Sequence, residues 1–251
     1  MTDMQALALA AAKQRMWFYE FELPDGTLTQ SFLPPHLRPI HTSRRDKLRQ
    51  VVTSCLPGSR DLTAIDLACH EGYFSVALAR YFRHVRAYDL REENVRAARL
   101  MISALGIENV EVDKADVRTL AFREDLRADF VLIYGLLYHV EDPIGLLRLA
   151  SNLARRQVLI ETQVLPFDIS GRVEDGNYQS QRDFLGVFGL AADNAESREG
   201  GATSMALVPS VNTLRVVLKN LGFRTVTLIE APDGDFEQFR RGSRVVIHAE
   251  K

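Results

Sequence analysis

A chain of 251 residues with a formal net charge of −2, 46% hydrophobic and 25% charged, has room for one large α/β domain with a cap. The apolar share excludes a disordered chain, and the balance of signs excludes a nucleic-acid footprint spread over the whole surface. Two cysteines, Cys55 and Cys69, are too few for a disulfide framework or a zinc site, which fits a reducing compartment. The apolar run Ala6 to Ala12 lacks a basic leader and is too short to span a bilayer, so the expectation is a cytoplasmic protein without a membrane anchor.

Residues 1–45 read as an N-terminal cap: an Ala-rich helix, the aromatic run Trp17-Phe18-Tyr19 and a hairpin around Pro24-Asp25-Gly26. The clusters Arg44, Arg45, Lys47 and Arg49, and Arg240, Arg241 and Arg244, read as solvated faces. Residues 46–251 form the main domain, in which short β-rich runs alternate with amphipathic stretches, as a parallel sheet covered by helices requires. Thr63 to Leu67 is the first buried strand, followed by a turn over Ala68 to Gly72 and a helix reaching Tyr81. Val85 to Tyr88 is the second strand and ends on Asp89; Glu92 to Leu105 is helical and stops at Gly106. The third strand is Val110 to Asp113, and the fourth, Asp129 to Ile133, lacks alternation, as a strand buried on both faces should. Asp142 caps a helix that opens on Pro143, and Gln157 to Glu161 is the fifth strand. The segment from about 164 to 209, rich in Gly, Ser and Asp, is too long for an ordinary connection and reads as a lid. Ser210 caps the last long helix, and Thr225 to Ile229 and Arg244 to His248 make an antiparallel terminal pair.

Ligands of open α/β sheets bind beyond the carboxyl ends of the strands. Asp89 closes the second strand where a carboxylate accepts from both hydroxyls of a ribose, and Asp116-Val117 follows the third where an adenine amine and ring nitrogen find partners. The first turn, Asp66-Leu67-Ala68-Cys69-His70-Glu71-Gly72, keeps only one glycine. A pyrophosphate needs several positions without side chains there, and no Gly-Lys-Ser or Gly-Lys-Thr phosphate loop occurs, so the adenosine ligand is one without phosphate, such as adenosylmethionine.

These residues resemble the class I S-adenosylmethionine-dependent methyltransferase family. Asp66 to Phe74 is similar to its first motif, Ala115-Asp116-Val117 to its adenine segment, and Tyr134 to Val140 to its fourth-strand exit. Leu137 to Pro143 is also similar to the branch of tRNA wobble-uridine carboxymethyl-transferring enzymes. The resemblance implies a doubly wound, Rossmann-like, mostly parallel seven-stranded sheet in the order 3-2-1-4-5-7-6 with the last strand antiparallel. It implies S-adenosylmethionine as cofactor, held by Asp66, Ala68, Cys69, Gly72, Asp89, Leu90, Asp116, Val117 and Tyr134, with Tyr134 near the methionine part. Ala68 and His70 depart from the family's commonest motif, which has glycine at both.

Methyl transfer asks the protein to align acceptor and donor, and it needs a base only where a proton must leave early. His139, after the fourth strand, and Glu161, closing the fifth, are the candidate catalytic residues; for each a purely structural role competes. Trp17, Tyr19, Tyr138 and Tyr178 are candidate walls of the acceptor site. No spacing of His, Cys, Asp and Glu demands a metal. The leading function is methylation of oxygen, nitrogen or carbon on a small metabolite, natural-product intermediate or sugar, with nucleic acid disfavoured by the acidic balance. Alkyl transfer to a tRNA base and donor binding without turnover are the alternatives. Oligomeric state has no signature in the sequence.

Overall fold

The computed structural model describes residues 2–122, 124–175, 180–197 and 199–251. Helix α1 (Asp3–Gln14) and helix α2 (Pro39–Cys55) precede strand β1 (Thr63–Leu67), helix α3 (Tyr73–Ala79), β2 (His84–Asp89), α4 (Glu92–Leu105), β3 (Val110–Lys114) and β4 (Ala128–Tyr134). Then come α5 (Pro143–Leu153), β5 (Ala154–Gln163), β6 (Gly171–Asp175), β7 (Ser180–Phe184), β8 (Phe188–Ala192) and β9 (Met205–Pro209). Helix α6 (Val211–Asn220), β10 (Thr225–Ile229), the short α7 (Glu237–Arg240) and β11 (Arg244–Glu250) complete the chain. The chain packs as two units, residues 1–133 with 153–156, and residues 134–152 with 157–251.

Seven strands form one sheet in the order β10-β11-β5-β4-β1-β2-β3. Strand β1 pairs in parallel with β2 and with β4, and β11 runs antiparallel to β5 and β10. With β6 to β9 set aside, this is the expected order 3-2-1-4-5-7-6. The central position of β4 explains its composition: Phe130, Val131, Leu132 and Ile133 are all fully buried, the condition of a strand covered on both faces.

The helix ends follow the predicted chemistry. Gly106 takes φ 66°, and Ile107 N–H returns to Ile102 O at 3.0 Å, the pairing that ends a helix on a left-handed residue. Asp142 Oδ1 accepts from Gly145 N–H at 2.8 Å, and Ser210 Oγ accepts from Thr213 N–H at 3.3 Å.

Two regions differ from the expectation. Helix α2 runs through position 45, so the cap and the main domain share a helix rather than meeting at a linker. Its Arg44 and Lys47 are buried, as is Arg244 on β11, so these members of the basic clusters are not solvated. The 164–209 segment, read as a loop-like lid, is built of two antiparallel hairpins, β6 with β7 and β8 with β9. Among the described residues, no helix is long and apolar enough to cross a membrane.

Candidate functional site

The turn after β1 is the most unusual backbone in the first unit. Ala68 and His70 take φ of 61° and 52°, and Gly72 takes 82°. The left-handed region costs an L-residue about 1–2 kcal/mol, and strain of this kind persists only where surrounding contacts impose it. They do so here. Cys69 N–H donates to Tyr88 O at 2.9 Å, His70 N–H to Asp89 Oδ2 at 2.8 Å, and Gly72 N–H to Cys69 O at 2.8 Å. Gly72 also faces α4, where a Cβ would stand 3.0 Å from Ala98 Cβ. The two side chains that replace glycine thus keep the glycine conformation.

Asp89 is buried and holds three donors: His70 N–H, Arg91 N–H at 2.9 Å and Asn94 Nδ2 at 3.0 Å. A carboxylate offers about four acceptor positions, so one remains for a ligand hydroxyl. Leu90, beside it, is exposed. Asp66, on β1, accepts from Ser75 Oγ at 2.6 Å; burial, opposed by that bond and reinforced by the charge of Asp89, pushes its pKa up to about 7. Burial also pushes the Cys69 thiol well up, with Asp66 and Asp89 adding to the effect, which makes it an inert part of the turn. Asp116 is bidentate with Arg118, whose Nε lies 2.9 Å from Oδ1 and whose Nη2 lies 2.5 Å from Oδ2; this pair holds its carboxyl below the usual range. An adenine amine there would share the carboxylate with Arg118. Val117 begins the 3-10 turn that follows.

The N-terminal aromatics pack against this turn. Glu71, fully buried, accepts from Phe18 N–H at 2.8 Å, while the Phe18 and Tyr19 rings lie 5.2 and 5.6 Å from the His70 ring. Tyr19 stacks on Tyr73 at 4.8 Å. Trp17 is fully buried, donates from Nε1 to Ala12 O at 2.8 Å and meets Phe21 edge to face, which makes it core rather than an acceptor wall. A separate cleft of about 1010 Å³ runs along α3 between Phe21, Arg45 and Arg80, and none of the donor-turn residues before Tyr73 lines it.

In the second unit, Tyr134 is buried at the exit of β4, and Gly135, at φ 73°, donates to Glu161 O at 3.1 Å. Tyr138 and His139 follow in a 3-10 turn with their rings 4.1 Å apart. His139 Nδ1 lies 2.8 Å from Asp193 Oδ2, a residue of the 164–209 segment. Glu161 is fully buried and accepts from Arg244 Nη1 at 2.6 Å, and Arg244 lies 4.9 Å over the Tyr138 ring and donates from Nε to Gln238 Oε1. Burial opposes the Arg244 charge, but Glu161 and Tyr138 outweigh it and keep the guanidinium protonated. Glu161 is thus placed as the counter-ion of Arg244. Tyr178 lies outside the described residues. Sequence reasoning missed Glu71, Asp193 and Arg244. Arg244 had a signal: directly across the ladder Val246 faces Glu161, so Arg244, two residues along, shares Glu161's face. Asp193 had none, since 54 residues separate it from His139.

Residues 64–157 match the family described as a methyltransferase domain. The chain is 31% identical over 119 residues to a ubiquinone biosynthesis O-methyltransferase of Xanthomonas campestris pv. campestris (strain B100), covering 47% of this chain and 48% of the relative. The corresponding protein of Pseudoalteromonas translucida is 27% identical over 123 residues. The chain thus spans about half the length of the curated relatives it matches. Among solved structures, the N-terminal domain of EvdMO1, crystallised in the presence of SAH and D-fucose, superposes with a TM-score of 0.71 at 23% identity, covering 100% of this chain and 97% of that one. Magnesium protoporphyrin IX methyltransferase (ChlM) from Synechocystis PCC 6803 with bound SAH gives 0.56 at 15% identity, covering 88% and 90%. The methyltransferase-domain match begins in β1 and ends in β5, within a sheet that has the order the resemblance implied.

Proposed function

We propose that this protein transfers a methyl group from S-adenosylmethionine to a small-molecule acceptor. The observation that carries the reading is the first turn: Ala68, His70 and Gly72 hold left-handed backbone conformations, and His70 is tied to the Asp89 carboxylate. A turn of this shape exposes main-chain atoms to an amino-acid moiety, and the remaining acceptor position of Asp89 suits a ribose hydroxyl. Asp116 and the Val117 backbone would meet the adenine, and Tyr134 the methionine end. When bound, the donor supplies a methyl carbon activated by its sulfonium.

The chain's own residues supply position. Tyr138 and His139 follow directly on the exit of β4, and in open α/β sheets ligands bind beyond the carboxyl ends of the strands. His139 serves as the base for an acceptor that must lose a proton, and Tyr138 forms part of the acceptor wall. The relatives' names, a ubiquinone O-methyltransferase and a magnesium protoporphyrin IX methyltransferase, favour a small acceptor over a tRNA base.

Calorimetric titration with S-adenosylmethionine and its demethylated product tests the donor, and incubation with methyl-labelled donor plus a metabolite extract or bulk tRNA tests the acceptor. Expected are donor binding and label in small molecules. Label confined to tRNA, or a donor that never binds, would refute the reading.

A further inference from the structure

We infer that Glu71 is a positioning residue of the donor turn, acting through the N-terminal segment 15–21, and that docking of this segment is coupled to donor binding; the assignment rests on the methyltransferase reading above. The Glu71 carboxylate is wholly shielded from solvent and is held by that segment: Oε2 accepts from Phe18 N–H at 2.8 Å, and Oε1 lies 3.7 Å from Arg15 Nη2. A buried carboxylate is costly unless hydrogen bonds and an opposite charge meet it. Detaching the segment would take two such contacts from Glu71 at once.

The donor that Phe18 offers is set by how the segment folds on itself. Trp17 N–H donates to Gln30 O and Trp17 O accepts from Phe32 N–H, both at 2.9 Å, while Phe18 O accepts from Ser31 Oγ at 2.9 Å. Successive N–H groups of an extended chain point to opposite sides, so with Trp17 turned toward residues 30–32, Phe18 N–H turns toward Glu71. The fully buried Trp17 ties the segment to the end of α1 through its Nε1 bond to Ala12 O. Arg15 Nη2 also lies 3.8 Å from Glu93 Oε1 in the first turn of α4, the helix whose start is bonded to Asp89 through Arg91 N–H and Asn94.

The neighbours of Glu71 in the turn are gripped by the same segment. His70, at φ 52°, places its ring 5.2 and 5.6 Å from those of Phe18 and Tyr19, and Tyr73 lies parallel to Tyr19 at 4.8 Å with 7° between the planes. The left-handed conformations of Ala68 and His70 are disfavoured for residues that carry a Cβ, so the turn keeps its shape only while its contacts impose it. Asp89 imposes that shape through His70 N–H, and the N-terminal segment imposes it through the side chains of His70, Glu71 and Tyr73. A donor that binds the turn in this shape prefers the protein with its segment docked, and by linkage the donor favours docking by the same factor. Glu71 needs no contact with the donor to exert this effect.

Two measurements test the coupling, donor affinity and the exchange of one amide. Glu71→Ala removes both contacts, whereas Glu71→Gln keeps an oxygen for Phe18 N–H and loses only the charge opposite Arg15; circular dichroism checks that each is folded. The calorimetric Kd for S-adenosylmethionine should rise about 5- to 150-fold in Glu71→Ala, with a smaller rise in Glu71→Gln. Hydrogen exchange of the wild type, resolved by nitrogen-15 spectra, should show Phe18 N–H slowed by the demethylated product more than Phe32 N–H, whose bond to Trp17 O lies within the cap. A Glu71 that only supports the fold would lower the melting temperature of Glu71→Ala and move neither reading. Wild-type donor affinity in folded Glu71→Ala, or exchange at Phe18 that the product leaves unchanged, overturns the inference. Should Glu71→Ala fail to fold, Glu71→Gln and the wild-type exchange decide it. A wild type that binds neither donor nor product refutes the methyltransferase reading and the coupling with it, whereas wild-type binding that the Glu71 variants leave unmoved sinks the coupling alone.

Discussion

The main-chain N–H of His70 donates to Asp89 Oδ2 at 2.8 Å, so the carboxylate that ends β2 fixes a left-handed residue of the turn that ends β1. One side chain thereby shapes the donor turn and offers itself to the donor. The bond to Arg91 N–H and that to Asn94 extend the same carboxylate's reach to the start of α4.

Asp89→Ala should therefore fail in two measurements at once. Three donors, two of them part-buried and one buried, lose the carboxylate that they share, so thermal stability falls. Affinity for S-adenosylmethionine should drop by about one to three kcal/mol, as for loss of a charge-assisted bond to a ribose hydroxyl. Calorimetry at a temperature where the variant is folded checks the second effect. Unchanged affinity would remove Asp89 from the donor site.

Ala68→Gly addresses the strain. Glycine adopts φ near 61° without penalty but has more freedom to lose on folding, about 0.5–1 kcal/mol against a relief of about 1–2 kcal/mol. The expected outcome is a gain of about 0.5–1 kcal/mol, read as a melting temperature higher by about 1–4 °C. A lower melting temperature would mean that the Ala68 methyl makes contacts worth more than its backbone strain.

Asp66 predicts a pH dependence of stability. Its folded pKa of about 7 lies above the ordinary carboxyl value of 3.8, so the folded state holds a proton that the unfolded state has released between these values. The stabilisation is fully present below about 4 and is lost as pH rises through about 7. In Asp66→Asn, which can still accept from Ser75 Oγ, the urea midpoint should decline less between pH 5 and pH 8 than in the wild type. Parallel declines in the two proteins would show that Asp66 is ionised in the fold throughout.

Much of the fold was legible because the sheet's interior imposes its pattern locally. The bounds of β1 and β10 coincide with the apolar runs that announced them, and Gly106 and Ser210 end and begin helices as their backbone chemistry demands. The donor turn was legible as a departure from glycine, but not its outcome, since only the hydrogen bonds that its N–H groups donate to Tyr88 O and Asp89 Oδ2 show how Ala68 and His70 keep the left-handed path. Trp17 was misplaced because an aromatic residue reads alike as wall and as core until its indole N–H is traced to Ala12 O. Asp193 was not legible at all: its partner is set by how β8 and β9 pair, a long-range fact without local trace.

Glu161 offers the sharpest separation between chemistry and architecture. If it were the base, Glu161→Gln would cut turnover and leave the fold untouched. The geometry argues otherwise, because Arg244 is 95% shielded from solvent and Glu161 wholly so, and their 2.6 Å bond is part of a cluster that includes Tyr138 and Gln238. Removing one member leaves a buried charge without its counter-ion, at a cost of about 3–5 kcal/mol, whereas removing both for apolar residues of similar volume is often neutral or favourable. Glu161→Ala should accordingly unfold at markedly lower urea, and Glu161→Leu combined with Arg244→Met should recover most of the loss. Donor affinity in the double variant should match the wild type, because neither residue is assigned to the donor site. A stable Glu161→Ala variant with donor affinity intact and turnover abolished would reverse the assignment and return Glu161 to the catalytic machinery.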